Sequence, residues 1–115
     1  YRVKESKYTQ RWIGSMVSDI HRTLLYGGMF CYPSDENNIH GKLRILYECF
    51  PMAFIMEEAG GKAIIAKMSN DRILDIIPTN IHQRTPILLG SSIEVNKYLD
   101  ILNEIIRNSS YDFPY

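Results

Sequence analysis

Lys42, Arg44 and Glu48 place two cations and a carboxylate inside seven residues of one short run, residues 41–51. Polar Lys42 and Arg44 alternate with apolar Leu43 and Ile45, the period of a strand, which would put both cations on one side. After Ile45 the apolar positions Leu46, Cys49 or Phe50, Ala53 and Phe54 recur at three and four residues, the period of a helix. Pro51 suits a first turn, where no backbone donor is needed, so the spacing predicts a helix starting near Tyr47 or Glu48. A carboxylate in that turn has two uses. It favours the helix dipole by about 0.3–1 kcal/mol, and it is a hard oxygen ligand for a divalent cation, with Lys42 and Arg44 nearby to hold an anionic substrate.

The rest of the chain must position these groups. Its 115 residues fit one domain, residues 1–115, and 45% hydrophobic content supplies a core. Charges balance at 13 against 13, so no global basic surface argues for nucleic acid or an anionic membrane, and any anion site must be local. The longest apolar run, about residues 52–56, falls far short of the ~20 residues of a membrane span, and a soluble protein is expected. Cys31 and Cys49, the two cysteines, are too far apart for a redox motif and too few for a zinc site. Buried free thiols in a reducing compartment, the cytoplasm, are expected. Residues 1–7 carry charges with no apolar run behind them, unlike a signal peptide. The chain has no initiating Met, as expected of a processed product or a piece of something longer.

In chain order, residues 1–10 read as an extended lead-in. Val17, Ile20 and Leu24 mark a helix with Ser15 as its N-cap and Gly27 and Gly28 as its stop. Residues 29–32 form a short apolar strand ended by Pro33. Residues 34–40 are a polar loop closed by Gly41. The helix of the opening run extends to about Ala59 and stops at Gly60 and Gly61. Residues 62–67 are a strand candidate, 68–72 a turn, and 73–77 a second short apolar segment before Pro78. Residues 78–86 are a structured polar loop, and 86–90 a strand. Ser91 with Glu94 makes a capping box for a last helix carrying Val95, Leu102 and Ile106, ahead of a frayed tail over residues 108–115. Strands separated by helical crossovers imply an α/β fold, a mainly parallel sheet flanked by helices.

No nucleophile elbow, phosphate-binding Gly-rich loop or zinc signature is present. Gly27-Gly28 and Gly60-Gly61 follow helices and read as caps. His21, His40 and His82 stand alone and read as structural or solvated. Asp19 and Arg22 form an i,i+3 pair worth about 0.2–0.5 kcal/mol. Tyr26 and Tyr32 read as packing phenols. Physical reasoning alone thus arrives at an α/β domain with a local cation cluster (Arg11, Lys42, Arg44) and one placed carboxylate.

Four blocks, in order, carry a resemblance: residues 14–28 (Gly-Ser-Met-Val-Ser-Asp-Ile-His-Arg-Thr-Leu-Leu-Tyr-Gly-Gly), the Tyr32-Pro33 pair, residues 41–49 (Gly-Lys-Leu-Arg-Ile-Leu-Tyr-Glu-Cys) and residues 77–84 (Ile-Pro-Thr-Asn-Ile-His-Gln-Arg). Over nearly the whole chain the sequence resembles the C-terminal half of class I fructose-1,6-bisphosphatase. The resemblance implies the C-terminal α/β domain of the sugar phosphatases, with the N-terminal half absent. It also implies residue roles. Arg11 matches an arginine that reaches the substrate 6-phosphate of a neighbouring subunit. Trp12 and Tyr32 match tyrosines contacting that phosphate, and Met16 matches a residue whose backbone amide meets the sugar. Lys42 matches the lysine holding the sugar and its 6-phosphate, Arg44 an arginine near the reacting 1-phosphate, and Glu48 a magnesium ligand.

The implied activity is magnesium-dependent hydrolysis of the 1-phosphate of fructose 1,6-bisphosphate to fructose 6-phosphate, with manganese or zinc as alternative metals and a homo-oligomer, dimer or tetramer, as the assembly. Sedoheptulose-1,7-bisphosphatase is the enzymatic alternative, and a non-catalytic sugar phosphate binding or assembly domain the other. Three positions depart from the pattern: Trp12 stands for Tyr, Phe50 for Asn and Asn80 for Asp. The family's Asp-Gly-Ser metal motif belongs to its N-terminal half. Glu48 alone cannot organise a multi-metal site, so this chain by itself is expected to be inactive.

Overall fold

The computed structural model describes residues 8–66 and 71–108. A helix, α1 (Met16–Tyr26), leads into strand β1 (Met29–Tyr32). Strand β2 (Leu43–Arg44) runs into a π-helical turn (Ile45–Cys49) continuous with α2 (Phe50–Glu58). Strand β3 (Lys62–Ile65), a 3-10 turn (Ile73–Asp75), strands β4 (Arg84–Thr85) and β5 (Ile87–Gly90), and helix α3 (Ser92–Asn108) complete the described chain. Expectations for residues 1–7, for 67 at the end of the predicted strand and 68–70 within the predicted turn, and for 109–115 lie outside the described residues.

The main sheet has the order β1-β5-β3. Its central strand, β5, is buried along its whole length. Side chains alternate along a strand, so Ile87 and Leu89 face one way and Leu88 the other. Ile87 and Leu89 join Phe30 and Ala63 against Ile20 of α1 and Ala53 and Met56 of α2. Leu88 joins Ile64 against Val95, Tyr98 and Leu99 of α3. Helices therefore cover both faces, which is why β5 reads as an unbroken apolar run. This is the expected α/β layering.

The expectation of a mainly parallel sheet is corrected. Both pairings of β5, with β1 and with β3, are antiparallel. The helical crossover through α2 does make β1 and β3 run the same way, but β5 lies between them and runs against both. Among the described residues, the connection from β3 to β5 contains a 3-10 turn and the two-residue strand β4 but no crossover helix, so the chain folds back. The apolar segment at 73–77 likewise becomes that turn, with Ile73 buried and Ile77 exposed.

One capping expectation also changes. Ser15 makes no side-chain cap bond; its carbonyl accepts the Asp19 N–H at 3.0 Å. The Ser91 hydroxyl accepts the Gly28 N–H at 3.3 Å, tying the end of α1 to the start of α3. Of the cysteines, Cys49 is buried as expected, but Cys31 is exposed on β1, an edge strand.

Candidate functional site

The helix predicted to start near Tyr47 or Glu48 begins as a π-turn, and Pro51 supplies the reason. A proline in the second position of α2 has no N–H, and its ring crowds the carbonyl four residues back, that of Tyr47. The chain widens one turn instead, with the Phe50 N–H donating to the Ile45 carbonyl five residues back. Arg44, at the end of β2, and Glu48, in this turn, are thereby brought to one side, with Arg44 Nη1 donating to Glu48 Oε1 at 3.1 Å.

Behind the pair stands Tyr47, its ring 6.0 Å from the Arg44 guanidinium carbon. Its hydroxyl bonds His82 Nδ1 at 3.0 Å, and the two rings meet edge to face at 5.9 Å. His82 is held by its own loop, where its N–H donates to Asn80 Oδ1 at 2.8 Å and Gln83 Oε1 accepts the Thr79 N–H at 2.8 Å. The Ile45 N–H donates to the Gln83 carbonyl at 2.8 Å, and β2 pairs with β4, Leu43 opposite Thr85 and Arg44 opposite Arg84. Loop 79–83 is thus a rigid back wall for the turn. An Asn at position 80 serves as well as an Asp, because the turn uses only one side-chain oxygen. Phe50, a second departure, packs against the core.

Lys42 is delivered by Gly41. At φ 74° this glycine lies so close to Thr85 and Pro86 that a Cβ would sit 2.8 Å from backbone atoms of both. The preceding loop is folded around Asp35, whose Oδ1 accepts the N–H groups of Asn37 and Asn38 at 2.9 and 2.7 Å. The Asn38 backbone donor, with help from the Lys42 charge, holds the Asp35 carboxyl below the usual carboxylate range. Burial pushes the Cys49 thiol up to about 12, with the Glu48 charge adding to it, so Cys49 is an inert neutral neighbour of the turn.

A second group lies on the stretch before α1. The Trp12 ring, 62% exposed, leans on Tyr32 with centroids 5.3 Å apart. Met16 opens α1 and packs, like Tyr32, against the core. The backbone here is fastened by Asp19, whose two oxygens accept the Ile13 N–H at 3.1 and 3.3 Å. Arg22 donates from Nη1 to Asp19 Oδ1 at 2.8 Å and from Nη2 to the Arg11 carbonyl at 3.2 Å. The expected surface pair is in fact a buried carboxylate spanning the arm and the helix.

The structure therefore brings Arg44 and Glu48 together, and Trp12 and Tyr32 together. Among the described residues, neither the Arg11 guanidinium nor the Lys42 ammonium makes a hydrogen bond or ion pair. No three His, Cys, Asp or Glu side chains converge among the described residues. Sequence reasoning missed His82 and Tyr47 as a pair and Asp19 as an anchor. The pairing of residues 47 and 82 carries no local signal, and Asp19, off the apolar stripe of Val17, Ile20 and Leu24, carries none for burial.

Comparison with known proteins agrees with this geometry. Residues 1–103 match the family model described as fructose-1-6-bisphosphatase, C-terminal domain. The fructose-1,6-bisphosphatase of Kluyveromyces lactis is 56% identical over 98 residues, covering 85% of this chain and 27% of that protein. The protein named cytosolic fructose-1,6-bisphosphatase in Musa acuminata is 58% identical over 93 residues, covering 81% of this chain and 26% of that one. The crystal structure of Leishmania major fructose-1,6-bisphosphatase in the T-state superposes with a TM-score of 0.81 at 53% identity, covering 87% of this chain and 30% of that chain. The chain spans less than a third of the length of these relatives, and no helix among the described residues is long and apolar enough to cross a membrane. The match of residues 1–103 to that family model, with these relatives at 53–58% identity, shows that this chain belongs to the fructose-1,6-bisphosphatase family, as its C-terminal domain.

Proposed function

We propose that this chain is the sugar phosphate binding, C-terminal part of an enzyme that hydrolyses the 1-phosphate of fructose 1,6-bisphosphate to give fructose 6-phosphate in the cytoplasm. The observation that carries the reading is the Arg44–Glu48 pair across the π-turn, with Lys42 just ahead of the strand that carries Arg44. Arg44 offers a planar guanidinium for phosphoryl oxygens, and its lean on the Tyr47 ring holds that plane. Lys42, a mobile point charge, suits the sugar and its 6-phosphate. Trp12 and Tyr32 offer an indole N–H and a phenol O–H at the same phosphate, with the Met16 backbone amide on the sugar. Arg11 extends to the 6-phosphate bound by a second copy, so the working unit is at least a dimer.

Glu48 fits a magnesium ligand in chemistry: a hard carboxylate, partly exposed, with Arg44 on one oxygen only. Manganese or zinc would be held by the same oxygens. One carboxylate is not a full octahedral shell, so the remaining ligands are assigned to the N-terminal half of the complete protein. When bound, the metal supplies an activated water and charge neutralisation at the transferring phosphoryl. The chain's own contribution is binding and orientation: energy gained at the remote 6-phosphate aligns the reacting one, and Arg44 neutralises charge there.

The test is phosphate release by the full-length protein with magnesium. Hydrolysis of fructose 1,6-bisphosphate that is lost in Glu48→Gln supports the reading. Preference for sedoheptulose 1,7-bisphosphate would move it to the sister activity. Tight sugar phosphate binding without turnover would make the protein a binding module.

A further inference from the structure

From the buried network at the foot of α1 we infer that Asp19 and Arg22 are positioning residues for the arm that carries Arg11 and Trp12. This rests on the proposed role of Arg11 at a 6-phosphate. Arg11 sits outside regular secondary structure, with its side chain exposed. A long side chain on an unfastened arm would spread its charge over many positions, and a phosphate contact would have to order it at the moment of binding. The structure removes that cost at the backbone. Asp19 is fully buried, and each polar contact of its carboxylate has a purpose on the arm: both oxygens accept the Ile13 N–H, and Oδ1 also accepts Arg22 Nη1. Arg22 then closes the loop by donating from Nη2 to the carbonyl of Arg11 itself.

The arm is thus held on either side of Trp12, at the carbonyl of residue 11 and the amide of residue 13. That leaves Trp12 leaning on Tyr32 and the Arg11 side chain directed by a fixed backbone. The fork of Arg22 is the essential part. Arg22 reaches the carboxylate and the carbonyl with two separate nitrogens, whereas a lysine must serve both from one ammonium and loses that fork geometry.

Arg22→Lys in the full-length protein separates positioning from folding. The substitution keeps a cation beside Asp19 and gives up the bond to the Arg11 carbonyl. We expect a melting temperature close to that of the parent, kcat nearly unchanged, and a KM for fructose 1,6-bisphosphate raised about fivefold, the scale of one hydrogen bond. Arg11→Ala is the companion variant. If Arg11→Ala raises KM and Arg22→Lys, folded and oligomeric, leaves it at the parent value, the positioning role is overturned. If Arg11→Ala itself leaves KM unchanged, the assignment of Arg11 to a phosphate fails first, and the inference falls with it. A fall in kcat and melting temperature together, with KM unmoved, would make Arg22 a purely structural residue and also overturn the proposal.

Discussion

Asp19 and Arg22 meet at 2.8 Å across one turn of α1, with side chains 1% and 23% exposed. Arg44 and Glu48 meet at 3.1 Å across the π-turn, with side chains 39% and 24% exposed. The two pairs use the same chemistry at nearly the same sequence spacing, and burial gives them different work. The Asp19 carboxylate has its hydrogen-bonding capacity taken up by Ile13 and Arg22, so it is committed to holding the backbone. Glu48 spends one oxygen on Arg44 and faces water, where a cation and an anionic substrate can reach the pair. A charge pair in the interior fixes geometry; one at the rim is free to exchange its partner for a ligand.

The largest effect should come from breaking the buried member. Asp19→Ala leaves Arg22 without its partner and the Ile13 N–H without its acceptor, and is expected to cost about 3 kcal/mol, read as a lowered urea midpoint of the full-length protein. Glu48→Gln should leave that midpoint nearly in place, since an exposed pair is worth about 1 kcal/mol or less. Equal losses from the two changes would erase the distinction drawn here.

Glu48→Gln should instead act on turnover, lowering kcat about a hundredfold with little change in KM, while Lys42→Ala should mainly raise KM. Steady-state kinetics on both variants checks this, and one shared kinetic signature would show that the strand and the turn do not divide the labour. Tyr47→Phe is subtler. It keeps the ring under Arg44 and removes the bond to His82, and a loss of about fivefold in kcat is expected, the scale of one hydrogen bond. Unaltered kinetics would mean the loop 79–83 supports the turn through its backbone alone.

The smallest effect concerns pH. Asp35 has a folded-state value below its ordinary one, so its contribution to stability is present above the ordinary carboxylate range and is lost as pH falls through the folded value. Asp35→Asn should therefore lower stability slightly at neutral pH and flatten the acid limb, with the difference from the parent vanishing below the folded value. A loss that persists undiminished at acid pH, below the folded value, would contradict the role given to the Asn38 contact.

What the sequence made legible follows from the range of each interaction. The stop of α1 at Gly27, the strand at β1 and the strand at β5 are local patterns and were readable as such. So was the pairing of Arg44 with Glu48, which their spacing of four residues brings together. The direction of β5 was not, because pairing between strands far apart in the chain leaves no mark in the composition of either one. The π-turn was hidden for a related reason: Pro51 signalled a boundary, but a tightened start and a widened turn satisfy it equally well. Asp19 misled because its spacing to Arg22 is that of an ordinary surface pair, and only the return of the arm over α1 buries it. The contact of Tyr47 with His82 spans 35 residues and had no sequence signal at all.

The central claim is that the reacting end of the substrate is served by the Glu48 turn of one copy and its far phosphate by the Arg11 arm of another. Subunit mixing tests it most directly. Arg11→Ala and Glu48→Gln full-length proteins, assayed at a substrate concentration where each alone turns over little, are combined and allowed to exchange subunits, with exchange followed independently by mass-tagged chains. In a mixed dimer one site would carry both lesions and the other neither, so the account predicts recovery of fructose 1,6-bisphosphate hydrolysis that tracks the fraction of mixed species. Complete exchange without recovered activity would contradict it and place Arg11 within its own subunit's site or outside any site.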